Sequence, residues 1–157
     1  MNRLAASLLA ILLFALAACA SGPVRRVSEP AASIQQLTVA ADGSWTVALR
    51  LDNYSSVPMR FDAVEFALTA GGVPAGTLRG APGISIGPES ADIATLTFAP
   101  SADARLHIAG ALADRRGVAY RLDGQVDATP EDGRQRRFQV ERDSVLSPVP
   151  GLPGVLR

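Results

Sequence analysis

The chain has 157 residues, with 15 basic and 15 acidic side chains and no formal net charge at pH 7. A polypeptide that docks on nucleic acid needs a basic face to displace counterions, so this balance argues against nucleic acid as a main partner. A single cysteine, Cys19, excludes an intramolecular disulfide, and the fold has to be held by packing alone.

The chain opens with Arg3 ahead of an apolar run from Leu4 to Leu16, closed by the small residues Ala17 and Ala18. That is the order of basic, apolar and cleavage regions in an export signal. Leu16, Ala17, Ala18 and Cys19 resemble the lipobox of bacterial lipoproteins. The resemblance implies removal of a signal peptide, residues 1–18, with diacylglycerol on the Cys19 sulfur and a fatty acyl group (palmitate or similar) on the new amino terminus. An uncleaved membrane helix is the alternative, since about 20 apolar residues span a bilayer. The position of the lone cysteine, and the absence of stop-transfer charges beyond Arg25 and Arg26, favour lipidation. Two or more acyl chains give stable anchoring where one gives only transient residence, at about 0.8 kcal/mol per buried methylene. Ala20, not aspartate, follows the cysteine; in lipoproteins of two-membrane bacteria this implies an outer-membrane anchor with the domain facing the periplasm.

Residues 19–32, with Gly22, Pro23 and Pro30, read as a lipidated flexible tether. Beyond them no long segment carries apolar residues at the helical period, and alternation recurs instead. Ile34 to Ala40 is a first strand, followed by Asp42-Gly43, a dipeptide suited to a tight hairpin. Trp45, Val47, Leu49 and Leu51 alternate with polar residues as a half-buried strand. Phe61 and Val64, Phe66 and Leu68 fall on opposite parities, so a one-residue bulge is expected near Asp62 or Ala63. Val73 to Leu78 follows a glycine turn, and its Pro74 points to a sheet edge. Ile84–Ile86, Ile93–Phe98 and Leu106–Ile108 are read as extended segments. Val118, Tyr120, Leu122 and Val126 form a second clean alternation, and Phe138 and Val140 belong to the last strand. The reading is all-β, an antiparallel sandwich of seven or eight strands over residues 33–147, with an unstructured Pro/Gly-rich tail at 148–157.

The middle of the chain resembles a known family. Leu49, Leu51, Asp52 and Asn53 with Tyr54 and Ser55, then Phe61, Val64, Phe66, Leu68, Gly71 and Gly72, then Val73, Ala75 and Gly76, are similar to the late-embryogenesis-abundant type 2 family, also called the WHy domain. The resemblance covers about Ser33 to Asp143 and departs at Tyr54, where proline is common in the family. It implies an immunoglobulin-like or fibronectin-III-like sandwich without a catalytic site, in a family linked to desiccation and stress tolerance whose bacterial members are often small lipoproteins.

Catalytic, metal and cofactor residues are expected to be none. His107, the only histidine, sits between Leu106 and Ile108 and on a strand would face solvent alone, short of a metal site or triad. Asp52, Asp62, Glu65, Glu89 and Asp92 could include a glycosidase-like pair, but solvated strand and loop positions explain them. Gly71, Gly72 and Gly76 open no helix and so form no phosphate loop. Trp45 reads as core. One arginine-dense region, Arg134, Arg136, Arg137 and Arg142, preceded by Arg115 and Arg116, is the candidate interaction surface for anionic headgroups, peptidoglycan or an acidic partner; the alternative is a solvated face that guards strand edges. The expectation is a non-enzymatic envelope lipoprotein that binds or protects envelope proteins in stress, or else an accessory subunit of an outer-membrane or periplasmic assembly, with partners limited to the membrane through its anchor and an envelope protein.

Overall fold

The computed structural model describes residues 25–157; the expected signal peptide, Cys19 and the first part of the tether lie outside them. Nine strands and one helix follow in the order β1 (Ala31–Val39), β2 (Trp45–Asn53), β3 (Met59–Ala70), β4 (Val73–Gly80), β5 (Ile84–Ile86), β6 (Ser90–Phe98), α1 (Ala102–Ala113), β7 (Val118–Pro130), β8 (Arg136–Leu146) and β9 (Val155–Leu156). They form two antiparallel sheets, β6-β2-β1-β9 and β4-β3-β7-β8, with β5 paired to β3. The all-β sandwich read from the alternation is therefore present.

The core lies between the sheets and follows the parity of the sequence. Trp45, Val47, Leu49 and Leu51 of β2 face Phe61, Val64, Phe66 and Leu68 of β3 and Leu122 and Val126 of β7, all buried. The register of β3 on β7 shifts between Phe61 and Ala63, the bulge that lets Phe61 and Val64 share one face. Pro74 lies on β4, an edge of its sheet, where its missing N–H breaks no ladder between two neighbours. The β1–β2 turn is closed by Gly43, at φ +84°, and by Asp42, whose carboxylate accepts from the N–H and hydroxyl of Ser44.

Three expectations are corrected. The stretch around Leu106 and Ile108 is helix, not strand. Ser101 caps α1 by accepting from the Ala104 N–H at 3.2 Å, and Asp103 adds a favourable charge in the first turn. The buried face of α1 is Ala104, Ile108 and Ala111, which rest against β4 and the end of β3. The tail is ordered too: Val155 and Leu156 pair with Thr38 and Leu37 of β1, Ser147 and Arg157 exchange backbone hydrogen bonds, and Leu156 is buried. Finally, residues 25–30, expected to be flexible, are hydrogen-bonded into the domain, and β1 begins at Ala31. Among the described residues no helix is long and apolar enough to cross a membrane.

Candidate functional site

Strand alternation sends neighbouring side chains to opposite faces, and this disperses the arginine region. Arg134 lies on the β7–β8 turn. Arg137 falls on the outer face of its sheet and clamps Asp127 of β7 through two bonds of 2.7 and 3.0 Å. Arg136 and Arg142 take the parity of Phe138 and Val140, yet both are exposed because β8 is an edge strand. The four cations thus fall on the β7–β8 turn and on both parities of β8.

What the outer face of this sheet does hold is a cross-strand ladder of opposite charges. Arg121 of β7 reaches Glu141 at 3.0 Å and Asp143 at 2.9 Å on β8, and Arg79 of β4 reaches Glu65 of β3 at 2.8 Å. The Arg137 guanidinium holds the Asp127 carboxyl below the usual carboxylate range, chiefly by donating hydrogen bonds to it, and the same contact raises Arg137. A shallow cleft of about 390 Å³ opens among Glu65, Arg79, Asp127 and Arg137. Its charged groups are already paired with one another.

The remaining candidates also find local partners. Asp52 is engaged by Arg50, Asp62 by Thr129 and Arg60, and Glu89 by Arg26, while Asp92 accepts from the N–H of Ile93. His107 is half-buried on α1, over the β3–β4 turn at Gly71. Among the described residues no group of three or more His, Cys, Asp or Glu is placed to hold a metal ion. Trp45 is buried with its ring edge-on to Phe98, centroids 5.7 Å apart, and its indole N–H has no hydrogen-bond partner among the described residues. Arg115 sits at φ +55° just past α1, where Arg115 and Arg116 donate to Leu112 and Ala111 carbonyls and close the helix.

A second cleft, about 710 Å³, lies between the C-terminal end of α1 (Leu112, Arg115) and the tail (Val149, Leu152). It is lined mainly by prolines and aliphatic groups, with Arg115 the one charge.

One polar centre was not assembled by sequence reasoning. Asn53 and Ser55 are fully buried at the pole where the chain enters the domain. The Asn53 Nδ2 group lies 2.9, 3.1 and 2.9 Å from the carbonyl oxygens of Val57, Ile86 and Gly87, and its Oδ1 accepts from the Ser55 N–H. Ser55 Oγ in turn accepts from the Ser28 N–H, and Ser56 Oγ from the Arg26 N–H. The Arg26 guanidinium donates to the Tyr54 carbonyl and to Glu89, and Arg25 donates to Asp132 and to the Glu131 carbonyl. One asparagine therefore ties the β2–β3 loop to the β5–β6 turn, and the serines beside it tie in the N-terminal segment. The polar run Asn53 to Ser56 between two apolar strands was the available signal.

No protein-family model matches the chain, and no curated protein does. Solved structures similar to it include a protein from Archaeoglobus fulgidus, 14% identical over 79% of this chain and 98% of that one, at a TM-score of 0.42. A protein from Arabidopsis thaliana is 12% identical over 81% and 83%, at 0.46. A candidate late embryogenesis abundant (LEA) protein is 17% identical over 95% and 86%, at 0.36. Likeness at these values says nothing of activity or partners.

Proposed function

We propose that this chain is a lipid-anchored, non-catalytic β-sandwich of the bacterial envelope, held at the outer membrane through Cys19 and facing the periplasm, where it binds or protects envelope proteins under stress. The observation that carries the reading is the lipobox-like run ending at Cys19, set so close to Arg25, which is already bonded into the domain. The stretch between them, even fully extended, spans about 20 Å. The pole bearing Arg25, Arg26, the Asn53 centre and the β7–β8 turn with Arg134 is then the one that meets the headgroups, where cations are favoured. The resemblance to the WHy domain supports the protective part.

The test has two arms. Metabolic labelling with an alkyne fatty acid should tag the wild-type protein in the outer-membrane fraction and leave a Cys19→Ala variant unlabelled; a label that survives the substitution removes the anchor. Drying a sensitive enzyme with the purified protein should preserve its activity better than an equal mass of albumin, and parity between the two removes the protective role. The second reading, an accessory subunit of an envelope assembly, is favoured by the outer edge of β6, which no other strand pairs with among the described residues.

A further inference from the structure

The sheet edges are not equally guarded. β4 carries Pro74 and a register break at Leu68/Thr69, β8 carries Arg136, Arg137, Glu141, Arg142 and Asp143, and β1 is met on its outer side by β9. Charges, proline, bulges and covering segments are the devices that keep edges from pairing. β6 carries one of the four, the single charge of Asp92, with β4 and β5 lying beside it. Its nine residues follow β2 without a register shift, from Trp45↔Phe98 to Asn53↔Ser90, and Asp92 is their only charge.

Two hydrogen bonds establish which backbone groups of β6 face outward. Ile34 donates its N–H to the Tyr120 hydroxyl at 3.0 Å, and Val39 donates to the Gly154 carbonyl at 2.8 Å, so both turn their backbone away from β2. Their partners on β2, Leu49 and Trp45, therefore bond on the other side, to Ala94 and Phe98. By alternation, Ala91, Ile93, Thr95 and Thr97 present N–H and C=O to the open side. The Ile93 N–H is covered by its neighbour's carboxylate, Asp92 Oδ1, at 2.8 Å, which agrees with that assignment. Among the described residues no strand pairs with this row, and Ile93, Thr95 and Thr97 are exposed.

We infer that the β6 edge receives an extended segment of another envelope polypeptide as an added strand, with backbone hydrogen bonds to Thr95 and Thr97 and to the Ile93 carbonyl. The partner's chemistry follows from charge. Asp92 makes no ion pair among the described residues, so the incoming strand carries Lys or Arg at that end and uncharged β-branched residues along the rest. A second copy of this chain is the wrong shape for the edge: antiparallel β6–β6 pairing would put the two Arg25 poles at opposite ends. This last step rests on the anchored reading, in which both poles sit at one membrane.

The probe is a fluorescein-labelled peptide of alternating Thr and Val ending in Lys, made with the Lys first or last, titrated by anisotropy against the full lipidated chain in detergent. One of the two peptides is expected to bind saturably, and N-methylation of alternate backbone nitrogens should weaken it about tenfold. Thr95→Pro, which removes an outward N–H and no bond to β2, should weaken binding by about the same factor; Thr95→Lys, which keeps the strand backbone, should do so too if the proline variant folds poorly. Asp92→Asn should weaken the Lys peptide about threefold and leave a Ser-ended analogue unchanged. Absence of saturable binding, or binding by both Thr95 variants as tight as that of the wild type, overturns the inference. A dimer seen by sedimentation and abolished by the Thr95 variants overturns it in favour of a second copy. All readings are in solution, so loss of edge binding is distinct from failure of Cys19 labelling.

Discussion

The imidazole of His107 stands against Gly71, so close that a methyl group added at Gly71 would occupy the position of Nε2. Gly71 is also at φ +60°, where a side chain is strained. Gly71→Ala should therefore lower unfolding free energy by about 2 kcal/mol. Part of that loss comes from displacing the ring, so His107→Ala in the same chain should recover about 0.5 kcal/mol or more. Strict additivity in a denaturant double-mutant cycle would mean that the ring and the turn are not in contact in solution.

Asn53 carries a different load, because its buried amide donates to the carbonyls of Val57 and Ile86 inside the domain and to that of the exposed Gly87 at its rim. Asn53→Ala should destabilise by about 3 kcal/mol, more than a surface asparagine would, since the Val57 and Ile86 carbonyls lose this donor in a buried setting. Hydrogen exchange should rise together in the Tyr54–Pro58 loop and the Gly87–Glu89 turn. Exchange confined to one of them would show that Asn53 does not couple the two.

Leu156 tests the tail. It is fully buried beside β1, so Leu156→Ala should cost about 2–4 kcal/mol. An unstructured tail, as its composition alone suggests, would give a value near zero.

The Asp127–Arg137 pair gives a pH dependence. The folded state holds the Asp127 carboxyl below its ordinary value of 3.8, so this contribution is complete above about pH 4 and disappears as pH falls through the folded value. Asp127→Asn has no such carboxyl. The melting temperature of the wild type should thus exceed that of Asp127→Asn slightly at pH 7, and the gap should close towards pH 2. The Arg137 side of the pair is open to solvent, so the gap at pH 7 should be small.

Where the chain alternates, its fold was legible. Trp45 to Leu51 and Val118 to Val126 announced half-buried strands, the parity switch after Phe61 announced the bulge, and Pro74 announced an edge. Helix α1 was not legible because its buried face is Ala104, Ile108 and Ala111, two of them too small to register as apolar periodicity, while the large Leu106 points to solvent. The local start signals, Ser101 and Asp103, are present in the sequence at the start of α1. In the tail, Pro and Gly shape turns and do not prevent pairing, and one buried leucine with a few backbone bonds holds the segment. The arginines that are clustered in the chain fall on a turn and on both parities of a strand. The open edge of β6 could not be read at all, since it depends on which strands are neighbours across the whole chain.

The two ends of the sandwich are closed by opposite kinds of force. At one, α1 rests its alanines and Ile108 on β4, a seal that exists because water is present to be expelled. At the other, Asn53, Ser55 and the Arg25–Ser28 segment form a knot of hydrogen bonds, each of which strengthens as the surrounding dielectric falls. Withdrawing water should therefore slacken the helical end while tightening the end at which the chain enters. A molecule built in this way changes its stiffest end as water activity drops, without changing its fold.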